Sequence, residues 1–176
     1  MRYVCLMRGV NVGGRTRVVM ADLRTAFERA GFEQVSTYIN SGNVLFTAPQ
    51  APAGELIERC ERLIGVATGL DLRVTVISHD ELRQVIAAAP DGWGADDRRR
   101  YHVLFVRPPA TAAELMAQIA IDPAVEALAA GPGVLYWDSS VERVRPRSTF
   151  ASKAADRDLT ARNQNTVVML DALLGA

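Results

Sequence analysis

Two glycine-bearing stretches hold the residues best suited to chemistry. Arg8-Gly9-Val10-Asn11-Val12-Gly13-Gly14-Arg15 comes first, and Tyr38-Ile39-Asn40-Ser41-Gly42-Asn43-Val44 follows 30 residues later. In the first, three glycines leave backbone N–H groups unshielded by side chains. Arg15 and Arg17 stand beside them, and a helix start follows. That is a physical recipe for holding an anion. In the second, Asn40, Ser41 and Asn43 offer amides and a hydroxyl. Neither stretch carries Gly-x-x-x-x-Gly-Lys-Ser/Thr or Gly-x-Gly-x-x-Gly. Each also has a plain structural reading. Glycine supplies φ > 0 in a tight strand-to-helix connection, and Asn and Gly make ordinary hairpin turns.

Further cations lie along the chain. Nineteen of the 20 basic residues are arginine, the exception being Lys153. Arg143-Val144-Arg145-Pro146-Arg147 alternates, so its guanidinium groups can project to one side before Ser148. Arg98-Arg99-Arg100 is a second cluster. Either suits phosphate contact, and either suits a solvated surface. No array of aromatics accompanies them, so a stacking platform for single-stranded nucleic acid is not evident. Arg162-Asn163 precedes the last apolar-periodic stretch. Asn163 reads as an N-cap. A cation at a helix start opposes the helix dipole, which Arg162 tolerates if it pairs with a carboxylate or a bound anion.

The catalytic inventory is thin. His79 and His102 are the only histidines. No metal-ligand spacing and no Gly-x-Ser-x-Gly elbow is present. Cys5 and Cys60 fall on apolar faces and read as buried small hydrophobes. The residues imply no metal, no cofactor and no reaction.

The 176 residues suit one domain or two small halves, and a hydrophobic fraction of 49% supports a real core. No apolar run approaches the roughly 20 residues of a membrane span, and the apolar run before Arg8 is too short for a signal peptide. A soluble, cytoplasmic protein is expected. Net charge is zero, which argues against a dedicated nucleic-acid binder. Nothing fixes an oligomeric state.

The elements that position these residues follow from periodicity. Residues 2–8 read as a strand apolar on both faces, hence central and covered on both sides. A helix is predicted over 20–30, ended by Gly31. Strands over 35–39 and 44–47 flank the Asn40–Asn43 turn. A helix from about Leu56 to Ala67 and a strand over 72–78 complete β-α-β-β-α-β, the ferredoxin-like unit. Its usual strand order, 4-1-3-2, makes strands one and three antiparallel neighbours. The end of strand one at Arg8 then lies beside the start of strand three at Val44, and the two glycine-bearing stretches share one sheet edge. A helix over 80–89 leads to a polar loop.

In the second half a strand is predicted over 101–107. A helix follows from a Thr111/Glu114 capping box to about residue 120. A hairpin spans 125–138, although its alanine-rich first arm also suits a helix; a short helix covers 148–155, and the last helix starts after Asn163. The expected fold class is α+β, with two ferredoxin-like halves. The first is residues 1–90. The second, 91–176, packs against it, lacks its last strand and ends in a helix.

The two opening motifs, with Thr160-Ala161-Arg162-Asn163-Gln164-Asn165-Thr166 near the C-terminus, resemble in order and spacing the bacterial family of unknown function DUF1697. The resemblance covers essentially the whole chain. It implies a two-part α+β fold with a ferredoxin-like first part, and it implies no established activity. The family usually carries Arg-Ser-Lys-Leu before the last third. Here Arg147-Ser148 fits and Thr149-Phe150 replaces Lys-Leu, with Lys153 one helical turn on as the candidate substitute.

Taken together, the sequence points to binding of an anionic or phosphate-containing small molecule at a cleft between the halves. Arg8, Asn11, Gly13, Gly14, Arg15, Tyr38, Asn40, Ser41 and Asn43 form one wall in this reading. Arg147, Ser148, Arg162 and Asn163 close it from the second half. Two alternatives stay open: nucleic-acid binding through the arginine loops, and an enzyme whose reaction the sequence does not name.

Overall fold

The computed structural model describes residues 1–11, 17–141 and 157–176. The first half builds β1 (Arg2–Met7), α1 (Met20–Arg29), β2 (Glu33–Tyr38), β3 (Asn43–Thr47), α2 (Ala53–Thr68) and β4 (Val74–Ser78). The strands form an antiparallel sheet in the order β2-β3-β1-β4. This is the ferredoxin-like order expected from the element sequence.

Apolar burial explains the arrangement. Both faces of β1 are buried, so Tyr3, Cys5 and Met7 serve one core while Val4 and Leu6 line the opposite face. Met20, Leu23 and Phe27 make the buried stripe of α1. Leu56, Ile57, Cys60 and Ile64 make that of α2. Between them Phe27, Phe32 and Phe46 meet with ring centroids 4.6–5.7 Å apart, in the tilted geometry aromatic pairs prefer. The Arg59 guanidinium lies 4.1 Å from the centroid of the Phe32 ring. It also donates to the Ala30 carbonyl at 2.7 Å, satisfying a carbonyl at the end of α1. Gly69, with φ +71°, stops α2 in the left-handed conformation that glycine adopts without a β-carbon penalty.

After α3 (His79–Ala87) the second half builds β5 (Arg99–Val106), α4 (Ala112–Met116), β6 (Glu126–Gly131), β7 (Val134–Ser140) and β8 (Leu159–Asn163). The last helix, α5, spans Gln164–Gly175. The sheet order is β6-β7-β5-β8, which repeats the topology of the first half strand for strand. This corrects one expectation: the second half does not lack its last strand. β8 pairs antiparallel with β5 from His102↔Asn163 to Val106↔Leu159, and α5 follows it. The 125–138 hairpin is present as β6 and β7. The Thr111/Glu114 capping box forms as expected, but its helix is shorter than the periodicity suggested. The expected 148–155 helix lies outside the described residues.

The chain divides into two compact units. One is Met1–Asp80 with Leu170–Ala176, and the other is Glu81–Met169. Within the first unit, Asp171 Oδ1 lies 2.9 Å from His79 Nε2, and Arg2 Nη2 donates to the Leu173 carbonyl at 3.1 Å. No helix among the described residues is long and apolar enough to cross a membrane.

Candidate anion-binding rim

The end of β1, the start of β3 and the start of β4 fall on one edge of the first sheet, because β1 is antiparallel to both neighbours. Arg8 N donates to the Arg73 carbonyl at 3.3 Å and Met7 N to the Gly42 carbonyl at 2.8 Å. The chain after β1 and the β2–β3 turn are therefore adjacent.

Asn11 joins them. Its Nδ2 donates to the Val18 carbonyl at 3.0 Å and to the Asn40 carbonyl at 2.8 Å, while its Oδ1 accepts from Val18 N at 2.9 Å. One carboxamide thus joins Asn11 to Val18 and ties both to the 39–42 turn. Asn11 holds φ +55°, a left-handed conformation that asparagine tolerates.

The turn is closed from beneath by Asn43, which is 0% exposed. Its Nδ2 donates to the Tyr38 carbonyl at 3.0 Å, so its amide serves the hairpin. Gly42 is buried at φ +75°, and a β-carbon there would sit 2.5 Å from Val10 Cγ2 and 2.7 Å from Met7 Cβ. Arg8 and Tyr38 are partly buried, whereas Asn40 and Ser41 are exposed. Gly13, Gly14 and Arg15 lie outside the described residues, as do Arg147, Ser148, Thr149 and Lys153.

Sequence reasoning passed over Ile39. It holds φ +48° while 48% exposed. A β-branched residue in that region is strained by about 1–3 kcal/mol. Periodicity and residue type give no warning of it, since isoleucine there reads as the end of a strand.

Arg162 and Asn163 belong to the second unit. Arg162 directly precedes the residue that caps α5, as expected, and it also lies on β8 opposite Val103, where it is 8% exposed. Its Nη1 donates to the Ala161 carbonyl at 2.8 Å. Asn163 does cap α5, its Oδ1 accepting from Thr166 N at 2.7 Å. In the 98–100 cluster, Arg98 pairs with Asp96 at 3.0 Å and Arg99 pairs with the largely buried Asp138. The hydrogen bonds from Arg98 hold the Asp96 carboxyl below its ordinary range. Two of the three guanidinium groups are therefore matched by carboxylates. His102 tilts over Trp137 with ring centroids 5.2 Å apart. Burial, and then the charge of Arg100, push its imidazole below its ordinary value, so His102 is neutral at neutral pH. Among the described residues no three histidine, cysteine, aspartate or glutamate side chains gather to hold a metal.

The fold defines a class: an α+β protein of two units, each with a four-stranded antiparallel sheet in the same strand order. The chain belongs to the family described as protein of unknown function DUF1697, whose model matches residues 1–136. The fold is also similar to that of the conserved bacterial protein SP0830 from Streptococcus pneumoniae. That similarity has a TM-score of 0.82 and 27% sequence identity over 98% of each chain. No curated protein matches the sequence.

Proposed function

We propose that this protein binds an anionic, phosphate-bearing small molecule at the rim formed by the 8–18 loop and the 39–42 turn. The observation that carries the reading is the Asn11 clamp, which ties Asn11 to Val18, on either side of the glycine- and arginine-bearing segment, and to the Asn40 carbonyl of the turn. Backbone N–H groups near Gly9, Gly13 and Gly14, with Arg8, Arg15 and Arg17 nearby in sequence, supply the donors and charge that such a ligand needs. Strain at Ile39 on the same rim supports the reading, because backbone outliers persist where function selects them. Asn43 and Asn11 act as struts, and Asn40 and Ser41 face solvent where a ligand meets them. Nucleic acid is the weaker reading, because Arg98 and Arg99 are paired with carboxylates.

Calorimetric titration with inorganic pyrophosphate tests the proposal. The expected result is saturable binding that weakens with salt and is lost on Arg15→Gln combined with Arg17→Gln, with Arg98→Gln unaffected. Absence of heat and of thermal stabilisation at millimolar pyrophosphate overturns it. Tight gel-shift of DNA or RNA, insensitive to the Arg15 and Arg17 changes, favours the nucleic-acid reading instead.

A further inference from the structure

The second unit holds a chamber of about 330 Å³ that the rim does not involve. Its walls are α3, the turn after it, the β5–β7 face and the first turns of α5. Val85, Ile86, Val103 and Val167 give it apolar walls, with Asp91 and Gln164 as polar lining. Its size sits at the low end of ligand pockets, which run to roughly 300–1,000 Å³.

The walls are fixed by specific contacts. Tyr136 donates its hydroxyl to the Val85 carbonyl at 2.5 Å, tying the sheet to α3. Trp93 stands edge-on to both Tyr101 and Tyr136, with ring centroids 4.9 and 5.4 Å away. The chamber is therefore framed by a hydrogen bond and two aromatic pairs, as a preorganised pocket is.

One polar side chain stands out in that frame. Gln164, the first residue of α5, packs its carboxamide directly over Gly94, where a β-carbon would overlap it. Gly94 holds φ +83°, so glycine is needed there twice over. The Gln164 carboxamide makes no hydrogen bond among the described residues. It lines this chamber and also the neighbouring polar pocket of about 370 Å³ that contains Tyr101 and His102. The Tyr136 hydroxyl is already engaged, which leaves the Gln164 amide available to a guest. An apolar-walled pocket with a small number of polar groups, here Gln164 with Asp91 also in the lining, is the recognition pattern of small-molecule sites.

We propose that this chamber binds a small aromatic molecule with one hydrogen-bonding edge, its apolar body against Val85, Val103 and Trp93 and its polar edge on the Gln164 carboxamide. Indole is the probe, with indene as its counterpart lacking the N–H. Amide chemical shifts are followed in the full chain during titration with each. Indole should shift Val85, Gly92 and Gln164 saturably. Ala89→Trp, which fills the chamber, should abolish those shifts without lowering the melting temperature. Gln164→Leu should keep indene binding and lose an indole preference of about threefold or more. Ile86→Trp answers the same question should Ala89→Trp not fold. Shifts that never saturate, or that persist in a folded chamber-filling variant, overturn the proposal. An indole preference unchanged in Gln164→Leu overturns the role of Gln164. The probe and the unit differ from those of the rim, so failure here leaves the pyrophosphate result standing, and the reverse.

Discussion

Gly42 lies against Val10 with no room for a β-carbon, which would come within 2.5 Å of Val10 Cγ2. The two glycine-bearing stretches are thus in contact, and the contact needs this glycine. Gly9 makes a control, since it has φ +67° and nothing within 4 Å of its would-be β-carbon. Gly9→Ala should cost about 1 kcal/mol from the left-handed conformation alone. Gly42→Ala adds steric overlap and should cost about 2–4 kcal/mol. Urea denaturation of both variants checks the difference.

Asn43 is fully buried in the sheet and holds the Tyr38 carbonyl. Asn43→Leu keeps the branched heavy-atom shape and removes the donor. Stability should fall by about 1–3 kcal/mol, the cost of removing a hydrogen bond donated from inside the sheet. The same urea assay reads it.

Tyr136 reaches across to the Val85 carbonyl. That carbonyl lies in the last turn of α3, where helices leave acceptors without an internal donor. Tyr136→Phe should therefore destabilise the second unit by about 1–2 kcal/mol. Hydrogen exchange at the end of α3 should quicken with it.

His102 makes stability depend on pH in a defined direction. Its folded value lies below the ordinary 6.5, first through burial and then through Arg100. The unfolded chain therefore takes up a proton that the folded chain refuses. Stability is full above about pH 6.5 and falls as the pH drops toward the folded value. The carboxylates near it in the adjoining pocket are Asp96 and Asp97. Asp96 is itself lowered from 3.8, and Glu114 from 4.5 by its Thr111 hydrogen bond, so these two act in a more acidic window. His102→Gln should flatten the dependence below about pH 6.5, above the range where the carboxylates titrate, and leave the acid limb in place. Urea midpoints across that range, wild type against variant, decide it.

The order β2-β3-β1-β4 was legible because each element of the first half carries an unambiguous apolar period and clear stops at Gly31 and Gly69. That order alone brings Arg8 and the Asn40–Asn43 turn to one edge. β8 was not legible. In Leu159-Thr160-Ala161-Arg162-Asn163 the buried residues include Thr160 and Arg162, whereas Ala161 is exposed. A reading by hydrophobic alternation assigns those residues to the wrong faces. The Asn11 clamp was missed for a different reason. The residue type of Asn11 suits a ligand donor, whereas its partners, Val18 and Asn40, are set by which backbone groups the fold brings beside it. Gln164 gave no signal either, since a glutamine at a helix start is ordinary and its role comes from packing on Gly94.

The most direct test of the rim is a map of backbone amide shifts on adding inorganic pyrophosphate. Binding there predicts saturable changes at Arg8, Gly9, Asn11, Asn40 and Ser41, with the amides of β6 and α4 unmoved. Changes confined to the second unit, or none at all, would contradict the account.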